Sequence, residues 1–366
     1  MPVHSKLFQP IRVGRCELQH RVVLAPLTRY KATAKTHVPH TSIVKEYYSQ
    51  RGSSPGTLLV AEATFISPQA AGYDHAPGIW SDEQIRAWKE VTDAVHANGS
   101  FLFSQLWALG RAAKPEILRG ETPPVAYVAP SPVQLTGRDG IPRALTQTEI
   151  KAYITDYARA ASNAIFNAGF DGVEIHGASG YLIDQFLQDV SNKRTDEYGG
   201  SIENRTRFAL EVVDAVVEAV GADRTGLRIS PWNGFQDMRM EDPKPTFAHL
   251  VSQIKERHPD FAYIHVVEPR VDGVEIRDAI PTDWNNDFLR DIWSPRPFIS
   301  AGGFEASSAK ELADTTGNLV AFGRKFIANP DLPRRLKEGI PLTKADRATF
   351  YVGGDDSRGY TDYPFA

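Results

Sequence analysis

Apolar residues along this chain fall into two alternating rhythms. Short, nearly continuous apolar runs bounded by Gly, Pro or Asn read as strands buried on both faces, over residues 21–28, 56–63, 101–107, 172–176, 226–230, 261–268, 297–302 and 318–323. Between several of them, apolar positions recur every three or four residues, as on one face of a helix. Ile85, Trp88, Thr92 and Val95 follow the capping box Ser81-Asp-Glu-Gln84 and stop at Asn98-Gly99. Ile150, Tyr153, Ile154, Tyr157, Ala161 and Ala164 follow a second box, Thr146-Gln-Thr-Glu149, and stop at Gly169. Residues 46–51 and 208–220 read as further helices. Eight strands in alternation with helices predict an α/β fold, a (β/α)8 TIM barrel that occupies residues 1–366 as one domain.

Two stretches break the rhythm. Residues 7–20 form two short extended pieces around Val13-Gly14-Arg15, which predicts an N-terminal hairpin able to plug the bottom of the barrel. Residues 108–145 show no period and carry prolines at 115, 123, 124, 130, 132 and 142. So long an excursion after the third strand is expected to serve as a lid or substrate wall.

Composition narrows the class. The net charge of −4 shows no clustered Lys and Arg, which argues against a nucleic-acid or anionic-membrane partner. A lone cysteine, Cys16, leaves no internal disulfide and no cysteine-based metal site, so no metal is expected. The start, Met1-Pro-Val-His-Ser-Lys6, lacks the apolar core of a secretory signal, and no apolar run approaches membrane length. A cytoplasmic protein is expected, a monomer or homodimer with small-molecule partners.

The candidate chemistry gathers at the strand over 172–176. Strand alternation turns Val173 and Ile175 outward to the helices and Glu174 and His176 inward. The following Gly177-Ala-Ser-Gly180 cannot pack as regular structure, and it brings His176, Ser179 and Tyr181 to one rim. Gly302-Gly303 after strand seven and Gly323-Arg324 after strand eight stand where such barrels bind phosphate. Arg228, in mid-strand, needs an anionic partner, either a carboxylate such as Glu62, Glu174 or Glu268 or a bound anionic group. Gln105 can both donate and accept. No G-x-G-x-x-G or G-x-x-x-x-G-K is present, so a separate dinucleotide domain is not expected.

These residues also carry a resemblance. His176-x-x-Ser179-Gly180-Tyr181 and the run from Asn192 to Arg205, NKRTDEYGGSIENR, resemble the strand-four motif of the Old Yellow Enzyme family of flavin-dependent ene-reductases. That family has Asn or His where this chain has Ser179. The likeness runs from Leu7-Phe-Gln-Pro10 to the segments at 346–351 and 359–364. It implies non-covalent flavin mononucleotide (FMN), held by Pro26, Leu27, Thr28, Ala63, Gln105, Arg228, Gly302, Gly303, Gly323 and Arg324. It further implies NADPH as reductant and activated C=C bonds of enals or enones as substrate. His176 and Ser179 would bind the carbonyl, Tyr181 would supply the proton, and Trp107 and Tyr351 would line the substrate. Three alternatives stand beside this one: a flavin-dependent isomerase or alkaloid-pathway type of specialised reductase, a flavin-binding protein with little turnover, and a glycosidase using Glu62 and Glu174.

Overall fold

Each repeat begins with a strand that has no solvent face. In the computed structural model, which describes residues 5–366, the strands are β1 Val22–Leu24, β2 Leu58–Phe65, β3 Phe101–Trp107 and β4 Gly172–Gly177, then β5 Thr225–Ile229, β6 Tyr263–Val267, β7 Phe298–Ala301 and β8 Leu319–Phe322. They pair in chain order, all parallel, and β8 pairs back with β1 to close a barrel. Closure leaves no open sheet edge. The expected (β/α)8 barrel is the observed fold.

Among the described residues, the helices that clothe the barrel include α1 Thr41–Arg51, α2 Asp82–His96, α3 Gln147–Ser162, α4 Ile202–Val220, α5 Lys244–Arg257, α6 Asp287–Trp293 and α7 Ala306–Thr316. Both expected capping boxes are closed, Ser81 with Gln84 and Thr146 with Glu149. Val173 and Ile175 pack outward with Leu182, Phe208 and Val212 in the layer between strands and helices. Helix α4 starts six residues before the expected 208, because Ser201 accepts the backbone N–H of Asn204 and caps it there. Helices α5, α6 and α7 are absent from the sequence reading. In α7 only Ala309 and Ala313 are buried, so it carries almost no apolar stripe to read.

The hairpin is present, with Ile11–Val13 paired antiparallel to Cys16–Leu18. Val13, Cys16 and Leu18 join Val23, Leu58, Tyr263 and Leu319 in one buried cluster that closes the end away from the strand carboxyl termini. Its turn needs glycine: Gly14 has φ +53°, and a Cβ there would lie 1.9 Å from the Asp223 carbonyl. The excursion after β3 is ordered by short elements, among them a two-residue parallel pairing of Val128–Ala129 with Arg143–Ala144. The chain's end is tied back to its start. Buried Arg29, just past β1, donates to the carbonyls of Thr349, Phe350 and Gly359.

Residues 1–4, part of the start read above for a secretory signal, lie outside the described residues. Among the described residues no helix is long and apolar enough to cross a membrane, and no His, Cys, Asp and Glu cluster could hold a metal ion.

Candidate active site

The last inward residue of β4 is His176, 5% exposed. Its Nδ1 accepts the backbone N–H of Ala178 at 3.3 Å, so the proton of the neutral ring sits on Nε2. Burial, with Arg228 and His265 nearby, pushes the imidazole well below its ordinary pKa and keeps it neutral. Nε2–H is therefore a neutral donor at the rim. Tyr181 stands edge-on to it, with ring centroids 5.0 Å apart. Burial, together with neighbouring Tyr73 and Tyr30, pushes its phenol well above 10, so it stays protonated.

Aromatic rings continue from there. Trp107 lies 4.9 Å from Tyr181, Tyr73 is 5.7 Å from Trp107, Tyr30 is 6.4 Å from Tyr73, and Tyr351 is 6.2 Å from Tyr30. The three expected rim residues His176, Ser179 and Tyr181 thus come together with Trp107, and Tyr351 closes the outer end of the row. Tyr30 and Tyr73 escape the sequence reading because neither lies on a strand. Ser179 is half-buried with φ +59°, and its hydroxyl makes no hydrogen bond to the described residues.

Deeper in the barrel, the candidate partners of Arg228 prove to be engaged elsewhere. Glu62 accepts the backbone N–H groups of Arg29 and Tyr30 at 3.1 and 3.2 Å, and burial pushes its carboxyl up to about 7. Glu268 pairs with Arg290 and accepts from Asn286. Glu174 accepts from Gln105 Nε2 and from His265 Nδ1, each at 2.7 Å. Burial would raise Glu174, but His265 and Arg228 outweigh it and hold the carboxylate charged. None of the three hydrogen-bonds Arg228, whose Nε is buried without a partner among the described residues. The enclosure of Glu62 and Glu174, 1% and 0% exposed, also removes the glycosidase alternative, which needs both carboxyls open to a sugar.

Arg228 faces a cleft of about 220 Å³. Pro26, Leu27, Gly302, Gly303, Gly323 and Arg324 line the same cleft. Gly302 and Gly303 have φ +143° and +60°, and a Cβ on Gly323 would sit 3.0 Å from Leu27. Side chains are excluded at these turns, so backbone N–H groups can meet a ligand. Exposed Arg324 donates to the Val274 carbonyl, and Arg270 to that of Gly302. Arg270, directly after β6, is a second cation beside this cradle that the sequence reading missed. Thr28 and Ala63 do not line this cleft. Thr28 is half-buried with no side-chain hydrogen bond among the described residues, and Ala63 is buried next to Gln105 in the strand pairing.

An unpartnered guanidinium nitrogen deep in the cleft and a glycine cradle flanked by cations fit FMN, anionic at its phosphate and, once reduced, at its ring. Fold and site define a flavin-dependent barrel oxidoreductase. The chain belongs to the NADH:flavin oxidoreductase / NADH oxidase family, whose family model matches residues 6–343, and within it to the Old Yellow Enzyme group. It is 54% identical over 366 residues to chanoclavine-I aldehyde reductase fgaOx3 of Penicillium roqueforti, covering 99% of this chain and 97% of that one. It is 48% identical over 372 residues to the NADP-dependent oxidoreductase lnbE of Aspergillus flavus, covering 99% and 97%. Among solved structures, Old Yellow Enzyme from Pichia sp. AKU4542 superposes with a TM-score of 0.90 at 38% identity, covering 100% of this chain and 95% of that one. Morphinone reductase in complex with tetrahydroNAD gives 0.88 at 40%, covering 98% and 97%.

Proposed function

We propose that this enzyme reduces the activated C=C bond of α,β-unsaturated aldehydes or ketones with NADPH. One observation carries the reading: a neutral His176 Nε2–H and a protonated Tyr181 phenol stand together on the rim beside a cleft that fits a flavin. With FMN held in the cleft, the site would gain hydride transfer from NADPH, by way of the flavin, to the substrate's β-carbon. His176 donates to the substrate carbonyl oxygen, where negative charge grows as the β-carbon is reduced. Tyr181 protonates the α-carbon, and its elevated pKa holds that proton until a carbanion-like centre forms. Arg228 offsets the charge of the reduced ring. Pro26 and Leu27 would line the ring and Gly302, Gly303, Gly323 and Arg324 would hold the phosphate, while Thr28, Ala63 and Gln105, outside that cleft, would meet the ring only beyond its lining. Trp107 and Tyr351 flank the substrate.

The names of relatives favour an aldehyde and NADPH: chanoclavine-I aldehyde reductase, aldehyde reductase FrzD, and an NADP-dependent oxidoreductase. A specialised-metabolite substrate is the second reading, supported by the same names. Other relatives are named probable inactive reductases; retention of the Tyr181 phenol supports turnover here. The proposal includes a cytoplasmic location and one site used in turn by nicotinamide and enal. Anaerobic NADPH should bleach the yellow protein, and an enal should restore the colour with formation of the saturated aldehyde. Bleaching without recovery by any enal or enone would remove the assignment.

A further inference from the structure

The turn between His176 and Tyr181 is held by more contacts than its length requires. Ser179 and Gly180 are both left-handed, at φ +59° and +77°. Ser179 N–H donates to Ser230 Oγ at 2.7 Å, and Gly180 N–H donates to Asp184 Oδ2 at 2.8 Å. The Gly180 carbonyl accepts from Gln185 Nε2 at 2.7 Å, and the Ser179 carbonyl accepts from Gln236 Nε2 at 2.6 Å. All four backbone groups of two residues are thus engaged by side chains. Asp184 and Gln185 come from the short helix Leu182–Leu187, which the turn itself launches. Ser230 and Gln236 come from the far side, at and beyond the end of β5. Packing is close: a Cβ on Gly180 would lie 2.8 Å from that of Gln236.

The segment that delivers Gln236 is itself strained. Gln236, Asp237 and Arg239 have φ +62°, +57° and +77°, and none is glycine. Such residues are strained and persist only where their surroundings enforce them. Here the enforcement is visible. Arg111 donates to the carbonyls of Gln236 and Asp237 at 2.9 and 3.2 Å, and Gln188 Oε1 accepts the N–H groups of Arg239 and Met240 at 2.7 and 3.0 Å. Asp237 Oδ2 accepts the Thr136 N–H at 2.7 Å, which ties the segment to the excursion over the rim.

We propose that Gln236 is a positioning residue for substrate-carbonyl recognition: it holds Ser179 in the left-handed turn and so fixes His176 and Tyr181 relative to each other. Asp237 and Thr136 extend this control to the excursion, so substrates that displace the excursion also loosen the turn. The inference rests on the function proposed above. It touches neither the cradle nor Arg228.

Gln236→Met and Gln236→Glu keep the length of the side chain and remove the donor. In either variant the Kd of a phenol, followed by its charge-transfer band with oxidised flavin, and the KM of an enal should rise about five- to tenfold, the scale of one hydrogen bond. FMN affinity, read by fluorescence quenching, should stay unchanged. Ser179→Asn supplies a residue that favours the left-handed region by itself, so in that background the Gln236→Met penalty should shrink by at least half on a logarithmic scale. A general structural role would instead lower FMN affinity and Tm and leave the two substitutions additive. Unchanged phenol Kd and KM in Gln236→Met, or an additive cycle, overturns the inference while the function stands. Wild-type protein that binds no phenol and reduces no enal overturns the function, and this inference falls with it.

Discussion

The backbone N–H of Ala178 meets Nδ1 of His176 at 3.3 Å, and this contact decides which nitrogen of the ring can serve the substrate. With Nδ1 occupied as an acceptor, a neutral ring can donate only from Nε2. His176→Ala removes that donor and should weaken phenol binding by roughly 1–3 kcal/mol, the cost of leaving a buried polar partner unmet. Because the ring is held neutral, enal KM should show no His176 titration step between about pH 5 and 8, where a free histidine would protonate. A step that vanishes in His176→Ala would show that the ring charges in this range.

Tyr181→Phe keeps the edge-on ring contacts with Trp107 and His176 and deletes the proposed acid. Bleaching by NADPH should survive, while reoxidation by an enal slows by about 10²–10⁴-fold. Stopped-flow measurement of the two half-reactions separates these effects. Equal losses in both would mean that Tyr181 positions the nicotinamide instead.

Ser179→Asn places, at φ +59°, a residue that tolerates this conformation far better than serine does. Its amide also reaches farther than the serine hydroxyl, which has no hydrogen-bond partner among the described residues. Phenol binding should tighten by about 1 kcal/mol, and the midpoint of urea unfolding should rise slightly. Titration with a phenol and one unfolding curve test both halves; equal affinity in the two forms would leave Ser179 irrelevant to carbonyl binding.

Burial lifts the Asp184 carboxyl to about 7 from an ordinary 3.8. The folded protein therefore keeps a proton that the unfolded chain releases above about pH 4. The stability this contributes is complete below that pH and is lost as pH rises toward 7, at about 1.4 kcal/mol per pH unit. Asp184→Asn should remove that slope, leaving the parallel one from Glu62, whose carboxyl also lies at about 7. Urea unfolding at pH 5 and pH 8 compares the two proteins, and identical slopes would show that Asp184 titrates normally.

Arg324 is exposed and spends one donor on the Val274 carbonyl, with Arg270 close by. Charge at the proposed phosphate site would then be shared. Arg324→Ala alone should weaken FMN binding by about 1 kcal/mol, below the 2–5 kcal/mol of a desolvated pair. Arg270→Ala with Arg324→Ala should cost more than the two single losses added. Fluorescence titration of FMN into apoprotein measures all three; no change in the double variant would exclude both cations from the phosphate site.

Much of this was legible because the barrel writes itself in short apolar runs, and the eight strand centres needed only their period and their Gly or Pro bounds. His176, Ser179 and Tyr181 were legible because strand alternation and one glycine-rich turn place them together within six residues. That the candidate carboxylates leave Arg228 unbonded was not. Which carboxylate bonds which neighbour depends on how side chains from different strands interleave inside the barrel, and His265, paired with Glu174, sits 91 residues away in sequence. Gln236 and Arg270 were hidden for a related reason: both lie in loops without period, and their roles arise from backbone conformation and from contacts between loops.

The anchoring of Arg29 to the carbonyls of Thr349, Phe350 and Gly359 has a temporal consequence. During synthesis the first strand emerges more than three hundred residues before the segment that satisfies this guanidinium, and a buried charge without its acceptors is costly. The N-terminal end of the barrel therefore cannot settle into its final form until almost the whole chain has left the ribosome. If flavin capture uses Pro26 and Leu27 as proposed, a few residues before Arg29, it becomes a closing event of biogenesis, and a chain interrupted before residue 349 should emerge colourless.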